Sequence, residues 1–225
     1  MKTFKVLGLL MSYPQPAWLA HLDEFKPALL DEGLLPQKQL RAVLALIDEL
    51  QTADLYRLQE EYVATFDRGR SHCLHLFEHI HGESRDRGQA MVNLSDAYAE
   101  KGFFIDQAEL PDYIPLFLEF LSLCPLAEAV ALLGEPIDIM ATLATRLHKR
   151  DSSHAVLFDA LVALSKVKPD HDKIREVVAR EPADDSLEAL DKEWQEAAAF
   201  AGQPGQPGCG GCRTPSDGLQ INITG

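Results

Sequence analysis

His75-Leu76-Phe77-Glu78-His79 fits the H-x-x-E-H pattern by which one group of zinc peptidases holds its metal: two imidazoles one helical turn apart, with a glutamate beside them. On a helix through this stretch His72 falls on the same arc, which brings a third nitrogen within reach. A zinc-dependent hydrolase using His75, Glu78 and His79 is therefore one chemical reading. Five residues make a weak match, and no downstream motif offers a carboxylate ligand from a second helix. Cys209-Gly210-Gly211-Cys212 supplies only two of the four ligands a structural zinc takes. Gly and Pro flank this pair, where a redox pair needs a helix N-terminus to lower a thiol pKa. Cys73 and Cys124 lie among apolar residues and read as core. Paired carboxylates for acid–base work, a Ser–His–Asp pattern and a phosphate-cradling Gly loop are not discernible. The expectation is a chain with no metal and no cofactor of its own.

The same residues belong to a denser cluster. Glu78, His79, His81, Glu83, Arg85, Asp86 and Arg87 crowd a short stretch inside Leu74–Leu94, with apolar residues on both sides. A merely solvated charge run lacks that interleaving. At 100° per residue Cys73, Leu74, Leu76, Phe77 and Ile80 share one arc, and His72, His75, Glu78 and His79 the opposite one. Gly82 is a natural stop and Ser84 an N-cap for the next helix. On that helix Arg87, Met91, Leu94 and Tyr98 form one stripe, so Arg87 turns inward and requires a carboxylate partner. Spacing alone leaves two readings open: a binding corner, or an ordinary turn braced by a salt bridge. Downstream, Asp112 and Pro115 read as the start of another helix, with Asp112 its cap.

HLFEHIHGESRDRGQAMVNL resembles the signature segment of the NarJ family, the nitrate reductase molybdenum cofactor assembly chaperones. That family belongs to the redox-enzyme maturation chaperones, which include the TorD and DmsD types. LGLLMSYPQ (Leu7–Gln15) resembles its opening helix and EEYVATFDRGRSHCLHLFEH (Glu60–His79) its approach to the signature. ELPDYIPLFLEFLS (Glu109–Ser122) resembles its second motif. The resemblance implies a chaperone and no enzyme. Its client is the apo catalytic (alpha) subunit of a respiratory nitrate reductase, bound mainly through an N-terminal segment and held for molybdenum cofactor insertion before membrane docking. Molybdenum cofactor biosynthesis proteins are further expected partners.

The mode implied is a client helix in a groove. Glu78, Glu83, Asp86, Asp112 and Glu119 meet basic residues of the client, and Arg85 and Arg87 complete the set. His79 and His81, of ordinary pKa near 6.5, make binding sensitive to pH. Asp112 or Glu119 is then the expected partner of Arg87.

Composition agrees with a peptide-binding protein. A net charge of −14 argues against nucleic acid or an anionic membrane surface and suits a basic partner. Four cysteines in 225 residues make no disulfide framework and point to a reducing compartment. The run Val6–Met11 is too short for a signal peptide and is followed by Tyr13-Pro14, and no stretch nears the roughly 18 apolar residues of a membrane span. The expected location is the cytoplasm, with no stable membrane insertion.

Apolar residues recur at helical spacing between Pro and Gly breaks: Phe4–Met11, Trp18–Phe25 up to Pro27, Leu40–Leu50, Leu55–Phe66, the signature pair, Tyr113–Ser122, Ile137–Lys149, Ser153–Lys168, His171–Arg180 and Leu187–Phe200. Strand-like alternation is nearly absent. The expected fold is all-α, a single-domain bundle of roughly ten helices over residues 1–200. Residues 201–225, rich in Gly and Pro, are expected to be a flexible tail.

Overall fold

The periodicity resolves into helices wherever the chain is seen. The computed structural model describes residues 1–68, 70–81, 86–105 and 109–180. In order these hold α1 (Lys2–Leu10), α2 (Pro16–Leu19), α3 (Leu22–Glu32), α4 (Gln37–Thr52), α5 (Leu55–Tyr62), α6 (Leu76–His81) and α7 (Asp86–Glu100). Then follow α8 (Ile114–Leu123), α9 (Leu126–Leu133), α10 (Ile137–Lys149), α11 (Ala155–Leu164) and α12 (His171–Arg180). A π-helical turn, Val63–Asp67, continues α5, and a 3-10 turn, Arg70–His72, leads towards α6. Among the described residues the fold is all-α; the one β-type pairing there is a single antiparallel bridge between His75 and Tyr113. The amphipathic stretch Leu187–Phe200 and the tail 201–225 lie outside the described residues.

α8 is the centre. It is apolar on nearly every side, as a helix surrounded by others must be, and Ile114, Leu118 and Leu121 are fully buried. α1 lies along it, and Gly8 permits the close approach: a Cβ there would stand 3.0 Å from the Pro115 carbonyl oxygen. α3 packs on α1 and α4, α4 on α11, and α11 on α10, so one continuous apolar core runs from α1 to α11. α12 is attached separately, through Ile174 and Val178 against Ala141 of α10. A bond of 2.9 Å from Lys149 Nζ to the Val178 carbonyl adds to that attachment.

Three details differ from the periodic reading. Pro27 lies inside α3 and does not end it; Gly33, at a left-handed φ of 62°, does. α9 was not expected, because LAEAVALL is apolar on too many sides to show a stripe. The signature helix begins at Leu76 and not at His72: Ser71 and His72 end a 3-10 turn, residues 73–75 are not helical, and His75 bridges to Tyr113.

Candidate functional site

That pairing organises the corner. Leu76 N–H donates to the Asp112 carbonyl at 3.0 Å and Ile114 N–H to the Leu74 carbonyl at 2.8 Å, tying the signature segment to the chain entering α8. The Asp112 side chain, fully buried, completes the junction. One carboxylate oxygen accepts the Phe77 amide at 3.0 Å, and the other lies 3.2 Å from His75 Nδ1. Asp112 therefore caps α6, across 35 residues of sequence, and not the α8 start beside which it sits. Burial pushes its carboxyl pKa up. The His75 and Phe77 hydrogen bonds and the charge of Arg87 outweigh burial and hold it below the usual carboxylate range. Around the junction Tyr98 donates to the Pro111 carbonyl at 3.0 Å, and the hydroxyls of Tyr62 and Tyr113 stand 3.1 Å apart.

With its back fixed in this way, α6 exposes Ile80 and sets the partly buried Glu78 and His79 along a groove. Glu78 forms a half-buried ion pair with Arg87 of α7, and Arg70 stands 3.9 Å from its other oxygen. His79 Nε2 lies 2.9 Å from the Cys73 carbonyl and so carries the proton, which leaves Nδ1 to accept from Arg146 of α10 at 3.4 Å. Arg146 also donates to the Ser71 carbonyl. Arg70, Ser71, Glu78, His79 and Arg146 line a groove of about 590 Å³ between α6, α10 and α12, where Ile80, Ile139 and Val177 add apolar surface.

The structure thus brings Glu78, His79 and Arg87 together and separates the rest of the expected set. Arg87 does turn towards the protein, but its partner is Glu78 and neither Asp112 nor Glu119, because α6 and α7 pack against each other at this corner. Asp112 has no exposed surface with which to meet a basic client residue. Glu119, half-exposed on α8, stands 3.8 Å from Lys5 of α1. Asp86 is exposed at the first turn of α7, where a negative charge suits the helix dipole. Glu83 and Arg85, and the side chain of His81, lie outside the described residues.

The zinc reading loses its geometry. His75 precedes the helix and engages Asp112, His79 engages the Cys73 carbonyl, and Glu78 engages Arg87, so the three share no face. Among the described residues no three His, Cys, Asp or Glu side chains are grouped to hold a metal ion. Burial raises the Cys73 thiol to about 11 and also raises that of Cys124, which keeps both thiols protonated. Sequence reasoning missed the far wall of the groove. Ile139, Thr142 and Arg146 recur at i, i+3 and i+7 on α10, a stripe whose polar end looks like an ordinary basic last turn.

Comparison with known proteins agrees with this architecture. Residues 30–160 match the sequence profile of the nitrate reductase delta subunit family. The Escherichia coli (strain K12) protein named nitrate reductase molybdenum cofactor assembly chaperone NarJ is 42% identical over 191 residues, which cover 85% of this chain and 81% of NarJ. NarW of the same strain, named for the same role, is 40% identical over 197 residues, covering 87% and 82% respectively. A crystal structure from Archaeoglobus fulgidus, described as a redox enzyme maturation protein, shares the fold with a TM-score of 0.52 and 22% identity, over 72% of this chain and 91% of that one. With more than half of its length inside the profile and a relative this similar across most of both sequences, the chain belongs to the nitrate reductase delta subunit family, that of the NarJ assembly chaperones.

Proposed function

We propose that this chain is a cytoplasmic assembly chaperone for a nitrate reductase. It binds the apo catalytic (alpha) subunit, chiefly by that subunit's N-terminal segment, and keeps it open to molybdenum cofactor insertion until membrane docking. It makes and breaks no bonds itself. Family membership supports the client class, and the absence among the described residues of a helix long and apolar enough to cross a membrane is consistent with a carrier role. The observation that carries the reading is the division of labour at the corner. Asp112 braces α6 from behind, while Glu78, His79 and the 55% exposed Ile80 present its front to an open groove. In this reading Ile80 and Val177 receive apolar anchors of a client helix, Glu78 holds Arg87 in place beside them, and the exposed Asp86, with Glu83 three residues before it in sequence, meets basic client residues outside the groove. Asp112 contributes by positioning. His79 ties the groove wall to Arg146.

Calorimetric titration with the alpha-subunit N-terminal peptide tests this. Burying one large aliphatic anchor contributes about 1.5–3 kcal/mol, so Ile80→Asp is expected to weaken binding by tenfold or more. Affinity equal to that of the unaltered chain overturns the groove assignment.

A further inference from the structure

The groove has an unusual charge for this protein. In a chain of net charge −14, its rim carries Arg70, Arg146 and Lys173 against Glu78 and Asp138. The three cations outnumber the two carboxylates: Glu78 is shared by Arg87 and Arg70, Arg146 is held by the Ser71 carbonyl and His79, Asp138 Oδ1 accepts the Asp170 amide at 3.0 Å, and Lys173 is exposed on α12. Between the charges lie Ile80, 55% exposed, and Val177, 43% exposed. An apolar floor with a positive rim fits an acidic amphipathic helix.

Such a sequence follows α12 directly. Residues 181–200 hold seven carboxylates against the single Lys192. Leu187, Leu190, Trp194 and Ala197 recur at i, i+3, i+7 and i+10, one helical face, and Asp191 and Glu193 flank it on either side. The reach is adequate. α12 forms one wall of the groove and ends at Arg180. Residues 181–186 span about 20 Å when extended, more than the roughly 15 Å length of α12, so the chain can double back along that wall. We propose that the acidic stretch Leu187–Phe200 docks in the α6–α10–α12 groove of its own chain when no client is bound. Leu190 and Trp194 lie on the apolar floor, and the flanking carboxylates meet the cationic rim. A client entering the groove has to displace this segment, so binding becomes a competition. Docking is independent of the client reading; the competition rests on it.

The chain has two tryptophans, and Trp18 packs on Phe25 in the α2–α3 region. In full-length Trp18→Phe protein, Trp194 therefore reports alone. Its acrylamide quenching is expected to be several-fold below that of a free tryptophan amide. Lys173→Glu and Val177→Asp are each expected to raise it to the free value without lowering the urea midpoint of the helical core. Amide exchange on the unaltered chain gives a second reading, with protection at 187–200 that Lys173→Glu removes. A Trp194 that is freely quenched from the start, or protected regardless of both substitutions, overturns the proposal. Adding the alpha-subunit peptide separates the two ideas. Peptide that binds a chain with no docked segment refutes docking and leaves the client reading standing; docking that persists with peptide bound refutes the shared groove.

Discussion

Replacing Asp112 by alanine tests whether this carboxylate holds the corner together. It removes the acceptor of the Phe77 amide and of His75 Nδ1, both charge-assisted and one a helix cap. Hydrogen bonds to a charged group contribute about 1.5–3 kcal/mol each, and relief from desolvating a buried carboxylate offsets part of two such bonds. The expected net loss is about 3 kcal/mol, or a Tm lower by about 6–12 °C for a chain of this size. Urea unfolding followed by circular dichroism at pH 7 measures it, with an unchanged m-value showing that the unfolded state is the same. Asp112→Asn keeps one carbonyl acceptor and is expected to lose about half as much. Glu119→Ala is the control. Its carboxylate is half-exposed and 3.8 Å from Lys5, so its loss is expected to cost about 0.5 kcal/mol or less. A deficit for Asp112→Ala below about 1 kcal/mol, or no larger than that of Glu119→Ala, would refute the bracing role. Because the Asp112 carboxyl is held low in the fold, its contribution is complete above about pH 4 and is lost as pH falls through the folded value.

Two further perturbations probe the core and the corner. His154 is buried edge-on to Phe66 at 5.3 Å, and burial lowers its pKa to about 4 from an ordinary 6.5. Acid therefore favours the unfolded chain, which protonates first: the stability contributed by the neutral ring is complete above pH 6.5 and is lost towards pH 4, about 3 kcal/mol in all. Urea midpoints across that range should show the slope in the unaltered chain and a flatter profile in His154→Phe; parallel profiles would contradict the assignment. At the corner, Glu78→Ala leaves the half-buried Arg87 without its carboxylate, and is expected to cost about 2–3 kcal/mol. Arg87→Ala leaves Glu78 near Arg70 and is expected to cost about 1 kcal/mol. A thermal melt with the order reversed would show that Arg70 does not share the charge.

How much of this was legible depended on how far apart in sequence the cause and the effect lay. α4, α10 and α12 show a single apolar stripe and could be delimited closely from periodicity, α10 and α12 to the residue. α9 is apolar on too many sides to show one. That Arg87 turns inward was readable from its register with Met91, Leu94 and Tyr98, but its partner was not, since Glu78 belongs to a different helix. The H-x-x-E-H match failed for the same kind of reason. It assumes a helix through His75, whereas the bridge to Tyr113 holds His75 outside the helix, which begins at Leu76. The groove needed three helices from distant parts of the chain, and only α6 among them carried a recognisable motif.

Asp112 is not alone in acting at a distance. α1 has no side-chain cap from its own N-terminal residues; Glu32, the last residue of α3, accepts the Lys2 amide at 2.9 Å and the Thr3 amide at 2.6 Å. α5, by contrast, has a local cap: Asp54 accepts the amides of Tyr56 and Arg57 at 3.0 and 3.3 Å. The physical demand is the same at all three helix starts, because the first amides of a helix lack intrahelical acceptors and carry partial positive charge. A local cap fixes only where a helix begins. A remote one also fixes which other segment lies against that beginning, since a carboxylate at hydrogen-bond distance tolerates little displacement. Glu32 locks α3 to α1, and Asp112 locks the entry of α8 to α6. A carboxylate in a family motif can therefore be kept for holding the scaffold as well as for touching a partner. Exposure separates the two at this corner: the buried Asp112 fixes α6, whereas Ile80 of α6 is exposed at the groove, where the proposed client contact would fall.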